Sequence, residues 1–377
     1  MGRDAIYPGS TLGIIGINRN GATLIAAAKK AGFNVGVYVD RSQPSVTKMA
    51  DFTIVGAMND RTKLTQFGEA CDAVIYQTPN VDSRVLHFLN QYAVIPQGIN
   101  ALEIVQDRLM ERAFLDQVNI NIAPYVTVVS LDDVYQSIDS IGYPALLKPI
   151  QRGIGENSML IERQSDITRA ADFIDTGTYL LESWIEHTNE YTMTAATDGK
   201  DTEIFPLAQL HYNDKRQLIS VATPANIHDD MLKEMQRIVK SVAASLEYRG
   251  VFSVNFYVTS TGTLYVKNIE PGLTSIANIY DVTTNVDQYE EQLRSAVGMP
   301  LHVITPLQIG LLMVVRNYQS RAIQRQWLLK NNWQFRFFND VGDDDQAILG
   351  FVWVTGGDNL AALKNQVDDT EVWNDQA

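Results

Sequence analysis

The chain has 377 residues, 45% hydrophobic and 20% charged, ordinary values for a globular protein of two or three domains. Its 44 acidic and 30 basic residues leave a formal net charge of −14, which repels nucleic acid and excludes a polynucleotide partner. The single cysteine, Cys71, excludes an internal disulfide and fits a reducing, cytoplasmic compartment; no apolar run approaches the ~18 residues of a membrane span, and the leading MGRDAIYPGS lacks the apolar stretch of a signal peptide.

Strands and helices alternate over the first 95 or so residues. TLGIIGI (11–17) reads as a strand, ATLIAAAKKAGF (22–33) as a helix ending near Gly32, and NVGVYVD (34–40) as a second strand. FTIVG, AVIYQT and AVIPQ (93–97) read as further strands. Alternation of this kind predicts a parallel, doubly wound sheet over residues 1–100. IIGINRNGATL places Gly16 and Gly21 between a strand and a helix, where backbone N–H groups can face a phosphate. Asn18 stands at the second position of the G-x-G-x-x-G pattern, so a nicotinamide cofactor is not expected, even with Asp40 at the end of strand two.

A helix is predicted over 101–118, broken by Asn121-Ile122-Ala123-Pro124. A small βαβ-like block follows at about 125–185: YVTVVS, a helix over 131–141, GYPALLKPI, SMLIE, a helix over 166–174 and YLLESWI. The third block carries antiparallel signals: EYTMTAAT, EIFPLAQLHY and QLISVATPA, then a helix over 227–246 with Met231, Met235, Ile238, Val242 and Leu246 on one stripe. GVFSVNFYVTSTGTLYVKNIEPG (250–272) reads as a hairpin turning at Ser260-Thr261-Gly262. Residues 101–305 form one domain on this reading, and the short aromatic strands of 306–377 form a C-terminal β subdomain. Asp343-Asp344-Asp345 reads as a solvated turn.

Lys148 ends the apolar strand PALLKP, as either an edge residue or a cation aimed into a cleft. The loop QRGIGENS, with Gly153 and Gly155, can wrap phosphates with its amides. Glu182 follows another apolar strand, and Glu190 opens the next. Each feature is weak alone; the informative part is the order of cation, glycine loop, strand-ending glutamate and second glutamate, with a late hairpin.

That order resembles the ATP-grasp superfamily, and in particular the 5-(carboxyamino)imidazole ribonucleotide synthetase family of purine biosynthesis. The local matches are IVQDRLMERAFL, GYPALLKP, LLESWI, NEYTMT, FPLAQLH and LRSAVGMPL. The resemblance implies a mixed α/β and α+β fold with ATP between two subdomains. It implies a reaction in which ATP and bicarbonate make carboxyphosphate, which carboxylates the amine of aminoimidazole ribonucleotide. Arg108 and Lys148 would then contact ATP phosphates, and Gly153, Gly155, Lys267 and Asn268 would also belong to the ATP-binding site. Glu182, Ser183, Trp184 and Ile185 would be the adenine hinge, Glu190 the ribose acceptor, and His211 a residue beside the reacting groups. Gly16, Asn18, Gln77 and Asn80 would line the second-substrate site. The family implies Mg²⁺ as a further cofactor, small-molecule partners and a homodimer.

The departures cluster. The family's two metal-binding glutamates correspond here to Asn255 and Asn268, with Glu270 two residues further on as the remaining carboxylate. At an effective dielectric near 20, a carboxylate about 4 Å from a divalent ion contributes about 8 kcal/mol before desolvation, so losing two weakens metal binding greatly. The glycine loop is shortened to GIGENS. Gln77-Thr78-Pro79-Asn80 replaces an acidic phrase, Gly272-Leu273-Thr274-Ser275 a basic one, and AILGFVW a C-terminal basic motif. Three readings stay open: a ligase of this family, a non-catalytic or repurposed paralogue that keeps the fold, and a ligase for another carboxylate and amine.

Overall fold

The computed structural model describes residues 5–18, 20–41, 44–152, 158–174, 177–339 and 341–374. The N-terminal unit contains β1 (Thr11–Ile15), α1 (Gly21–Lys30), β2 (Asn34–Val39), α2 (Pro44–Thr47), β3 (Phe52–Val55), α3 (Arg61–Glu69), β4 (Ala73–Tyr76) and α4 (Ser83–Leu89). Its strands pair in parallel in the order β3-β2-β1-β4. The near-continuous apolar content of β1, β2 and β4 follows from burial on both faces. The expected fifth strand at AVIPQ is only a parallel bridge between Ala73 and Val94. Pro96 supplies no N–H to extend it.

The helix expected over 101–118 is two helices, α5 (Asn100–Gln106) and α6 (Arg108–Gln117). Asp107 between them is extended, and its carboxylate accepts from the N–H groups of Leu109 and Met110 at 2.8 and 3.0 Å. The break is thus the N-cap of α6, which re-aims that helix.

The second unit contains β5 (Tyr125–Val128), α7 (Leu131–Ile141), β6 (Ala145–Pro149), β7 (Met159–Ile161) and β8 (Tyr179–Ser183). Its order is β5-β8-β6-β7 with every pair antiparallel, so the block is not a parallel βαβ unit. The segment expected as a helix at 166–174 is a 3₁₀ helix over Gln164–Asp172.

The large sheet is built from β9 (Asn189–Thr197), β10 (Thr202–Ile204), β11 (Ala208–Tyr212), β12 (Leu218–Thr223), β13 (Gly250–Val258), β14 (Leu264–Pro271), β15 (Gly310–Arg316), β16 (Trp333–Phe337) and β17 (Ile348–Thr355). The order is β14-β13-β9-β11-β12-β15-β17-β16, with β10 beside β9. EIFPLAQLHY divides into β10 and β11 around Pro206. The C-terminal strands do not form a sheet of their own; they extend this one, with Leu312 of β15 paired to Val221 of β12. The helices on this sheet are α8 (Asp229–Ser245), α9 (Tyr280–Thr283), α10 (Gln288–Val297), α11 (Ser320–Leu329) and α12 (Leu360–Asp368). Helix α8 buries Met235, Ile238 and Val242 against the apolar face of β9 and β13, as its stripe predicts. Among the described residues no helix is long and apolar enough to cross a membrane.

Candidate functional site

The site begins with the face of α6. Arg108, Glu111 and Arg112 lie three and four residues apart, so one side of the helix carries all three. That side meets Lys148 at the end of β6 and Glu182 at the end of β8. Lys148 Nζ donates to Glu182 Oε2 at 2.7 Å, and Arg112 Nε donates to Oε1 at 3.0 Å, with Nη2 in an ion pair 2.9 Å from the same oxygen. Glu182 is 4% exposed and Arg112 5%. Burial alone would raise the Glu182 carboxyl, but Arg112 and then Lys148 outweigh it and hold the group below its ordinary range. Burial lowers the Lys148 ammonium, with Glu182 opposing.

Glu111 locks this junction to the large sheet. Oε1 accepts from the Ile269 N–H at 2.8 Å and Oε2 from Arg152 Nη2 at 2.6 Å. Arg112 also donates to the Lys267 carbonyl at 2.9 Å. Among the described residues Arg108 has no carboxylate at ion-pair distance; it donates to the Pro149 carbonyl and feels Glu111 and Glu182 only from beyond that distance. Burial, then the Arg152 charge, lower it.

A cleft of about 680 Å³ opens between the small sheet and the large one, lined in part by Lys148, Trp184, Glu190, His211, Tyr257 and Lys267. The segment 183–185 crosses its edge. The Ser183 N–H bonds to the Pro124 carbonyl and the Trp184 N–H to the Pro144 carbonyl, each at 2.9 Å, so the connection is fixed to the small sheet. The Arg216 guanidinium covers the Trp184 ring at 4.1 Å. Behind the connection, a narrow slot of about 30 Å³ lies among Leu146, Ile185, Tyr257 and Val266. His187 fills the space in front: its ring stacks on Tyr257 with centroids 4.0 Å apart. Glu190 is held by His187 on one oxygen and by Lys267 Nζ on the other, each at 3.0 Å. His211 does line the cleft, but burial and the Lys364 charge lower its pKa to about 4, leaving a neutral imidazole near pH 7.

A second cavity of about 260 Å³ adjoins the first, lined by Arg108, Arg112, Lys148, Arg152 and Lys267 together with Glu111, Asn255, Asn268 and Glu270. Strict alternation would turn Lys267 and Asn268 to opposite faces of β14. They line one cavity because the β13–β14 register shifts here: Asn255 faces Asn268 while Phe256 faces Val266, leaving Lys267 as the bulged residue. Asn255 Nδ2 donates to Asn268 Oδ1 at 3.2 Å, and Asn268 Nδ2 to Glu270 Oε1 at 3.1 Å. Glu270 thus comes within a hydrogen bond of Asn268, nearer than the strand rise alone predicts. Asn255 Oδ1 is buried without a partner. One orphan amide oxygen, the Glu270 carboxylate shared with Asn268, and Glu111, whose two oxygens already accept from Ile269 and Arg152, set among five cations, do not fit Mg²⁺, which needs several free oxygen ligands and net negative charge. Among the described residues no group of three or more His, Cys, Asp and Glu is placed to hold a metal.

Of the four residues expected at the second-substrate site, Gln77 is fully buried, Gly16 and Asn18 are half-buried and Asn80 is exposed. The Gln77 side-chain amide donates to Asn18 Oδ1 at 2.5 Å and accepts from the Asn18 backbone N–H at 3.2 Å. Gly16 has φ +66°. Asn20 bonds to Ser275 at 3.0 Å and to Asn278 at 3.3 Å, tying α1 to the segment after β14. Gly153 and Gly155 lie outside the described residues. Glu111, Arg112, Arg152, His187 and Arg216 also line or support the two cavities, without being singled out by the sequence motifs. Only the first two carried a local signal, their spacing from Arg108.

Comparison with known proteins gives the following. The model of the ATP-grasp domain matches residues 113–273, and that of the ribonucleotide synthetase preATP-grasp domain matches residues 10–106. The N5-carboxyaminoimidazole ribonucleotide synthase of Bacillus subtilis (strain 168) is 27% identical over 327 residues, 86% of each chain. That of Staphylococcus aureus (strain N315) is 26% identical over 368 residues, 96% of this chain and 95% of that one. A crystal structure of N5-carboxyaminoimidazole ribonucleotide synthetase in complex with ADP superposes with a TM-score of 0.92 at 22% identity, covering 99% of both chains. The Aspergillus clavatus enzyme with ADP and 5-aminoimidazole ribonucleotide superposes with a TM-score of 0.87 at 17% identity, covering 96% and 98%. At those identities the two superpositions bear on the fold alone.

Proposed function

We propose, from the premise that this chain belongs to the ATP-grasp superfamily, that it is an ATP-dependent carboxylate–amine ligase of the N5-carboxyaminoimidazole ribonucleotide synthetase kind. The observation that carries this reading is the buried junction of Lys148, Glu182 and Arg112 at the base of a cleft between two antiparallel sheets. Phosphoryl transfer depends on positioning and on neutralising charge, and this junction holds cations rigidly where a triphosphate would run. Arg108 and Lys148 are the phosphate contacts on this reading. Ser183, Trp184 and Ile185 border the base, and Glu190 is the ribose acceptor once His187 moves off it. A cytoplasmic location and a homodimer belong to the same proposal.

Asn255 bonded to Asn268 favours a second reading, a repurposed paralogue that keeps the cleft without turnover. One assay separates them: ADP release on mixing protein, ATP, bicarbonate and aminoimidazole ribonucleotide. The ligase reading expects amine-dependent ADP that Lys148→Ala abolishes. ATP binding without ADP, for this and other amines, sinks that reading and leaves the paralogue.

A further inference from the structure

Resting on the reading of the cleft as a nucleotide site, we infer that this protein takes the polyphosphate of its nucleotide without a divalent cation. The charge is met instead by side chains of the adjoining cavity. Arg108 and Arg112 reach it from α6, Lys148 and Arg152 from β6 and the residues after it, and Lys267 from the bulge of β14.

Three observations support this. The hairpin positions that face the cavity are neutral amides bonded to each other, so the strand side offers one carboxylate, Glu270, already shared with Asn268. Five cations but only two carboxylates, Glu111 and Glu270, line the same cavity, a positive balance that disfavours a divalent ion and attracts a polyphosphate even though four of the cations also pair with carboxylates. And one cation is not committed to an ion pair: Arg108 has no carboxylate at ion-pair distance among the described residues, whereas Arg112 Nη1, which makes no hydrogen bond, has Glu111 Oε2 at 3.9 Å. Guanidinium groups suit the task because their N–H forks match phosphate oxygens in pairs. The bulge is the local device that makes this possible, since it brings Lys267 to the face that Asn268 occupies.

The test is a titration of the wild-type chain with ATP and, separately, with inorganic tripolyphosphate, each in EDTA and in excess Mg²⁺, followed by calorimetry. The expected result is an ATP Kd in EDTA within about threefold of the value in Mg²⁺, and tripolyphosphate binding in EDTA. Arg108→Ala, which strands no buried carboxylate, should weaken both ligands in EDTA by roughly tenfold or more. Asn255→Glu with Asn268→Glu should make ATP binding depend on Mg²⁺. ATP binding only with Mg²⁺ overturns the inference and leaves the nucleotide reading intact. Tripolyphosphate binding in EDTA with no ATP binding in either condition upholds the metal-free anion site and overturns the nucleotide reading. No binding of either ligand overturns both.

Discussion

Nε2 of His187 lies 3.0 Å from Oε1 of Glu190 while Nδ1 of the same ring lies 2.7 Å from the carbonyl oxygen of Ile185. Both neighbours are acceptors only, so both ring nitrogens must donate, and only the imidazolium can do that. The hydrogen bond to Glu190 raises the His187 pKa; burial opposes it, the Ile185 carbonyl and the Glu190 charge add to it, and Lys267 opposes it. The Tyr257 ring on β13, Glu190 on β9 and Lys267 on β14 are the charged or titratable groups facing the imidazole.

His187 therefore closes the cleft in a pH-dependent way. The folded pKa is raised, so the closed arrangement is fully present below the ordinary histidine range and lost as pH rises through the raised value. The neutral ring keeps a single N–H, so it can hold the Ile185 carbonyl or Glu190 but no longer both. Adenosine, which carries no titrating phosphate, should bind more tightly as pH rises, by about 1 kcal/mol or severalfold in Kd. His187→Ala should bind with the high-pH affinity throughout. A pH profile identical in the two proteins would show that His187 is not the gate.

The Lys148–Glu182–Arg112 junction predicts unequal costs for its members. Glu182→Gln leaves the buried Arg112 with only the more distant Glu111, 3.9 Å away and already shared with Arg152, and should destabilise by about 3 kcal/mol in urea unfolding. Lys148→Ala leaves Glu182 paired with Arg112, so its stability cost should be about 1–2 kcal/mol while nucleotide affinity falls steeply. Because the folded pKa of Glu182 is lowered, its contribution is present above the ordinary carboxylate range. It is lost as pH falls through the lowered value, so the gap between wild type and Glu182→Gln should close in acid. Equal destabilisation by the two substitutions would rule out this account.

The fold and half of the site were legible because they rest on local pattern. Alternating strands and helices gave the parallel sheet, and the apolar stripe of α8 placed that helix. Lys148, Glu182 and Glu190 stood out because each sits at a strand end. Arg112 was legible in principle, four residues from Arg108, once both were placed on one helix. The rest was not local. Asp107 looked like one polar residue inside a helix until its role as a cap divided the helix. The antiparallel pairing of β6 with β8 depends on closure over residues far apart in sequence. His187 meets Tyr257 across 70 residues, and Gln77 is saturated by Asn18 across 59, and no periodicity signals either pairing.

Gly272 marks where the parallel sheet meets the large sheet, and it supplies the last prediction. Its φ is +100°, a region that side chains rarely adopt, and an added Cβ would lie 2.6 Å from the Gln77 carbonyl oxygen. That carbonyl accepts from the Leu273 N–H at 3.1 Å, so the close approach is part of the contact between the units. Gly262, in the β13–β14 turn, has φ +81° but open space around its Cβ position. The two glycines share the backbone strain and differ in the clash. Gly262→Ala should cost about 1 kcal/mol, from strain alone. Gly272→Ala should cost roughly 2–3 kcal/mol or more, because the carbonyl of Gln77 must also retreat. Urea unfolding measures both, and hydrogen exchange at Leu273 should rise only in Gly272→Ala. Equal losses in the two variants would mean that the approach of Gly272 to Gln77 contributes nothing to holding the units together.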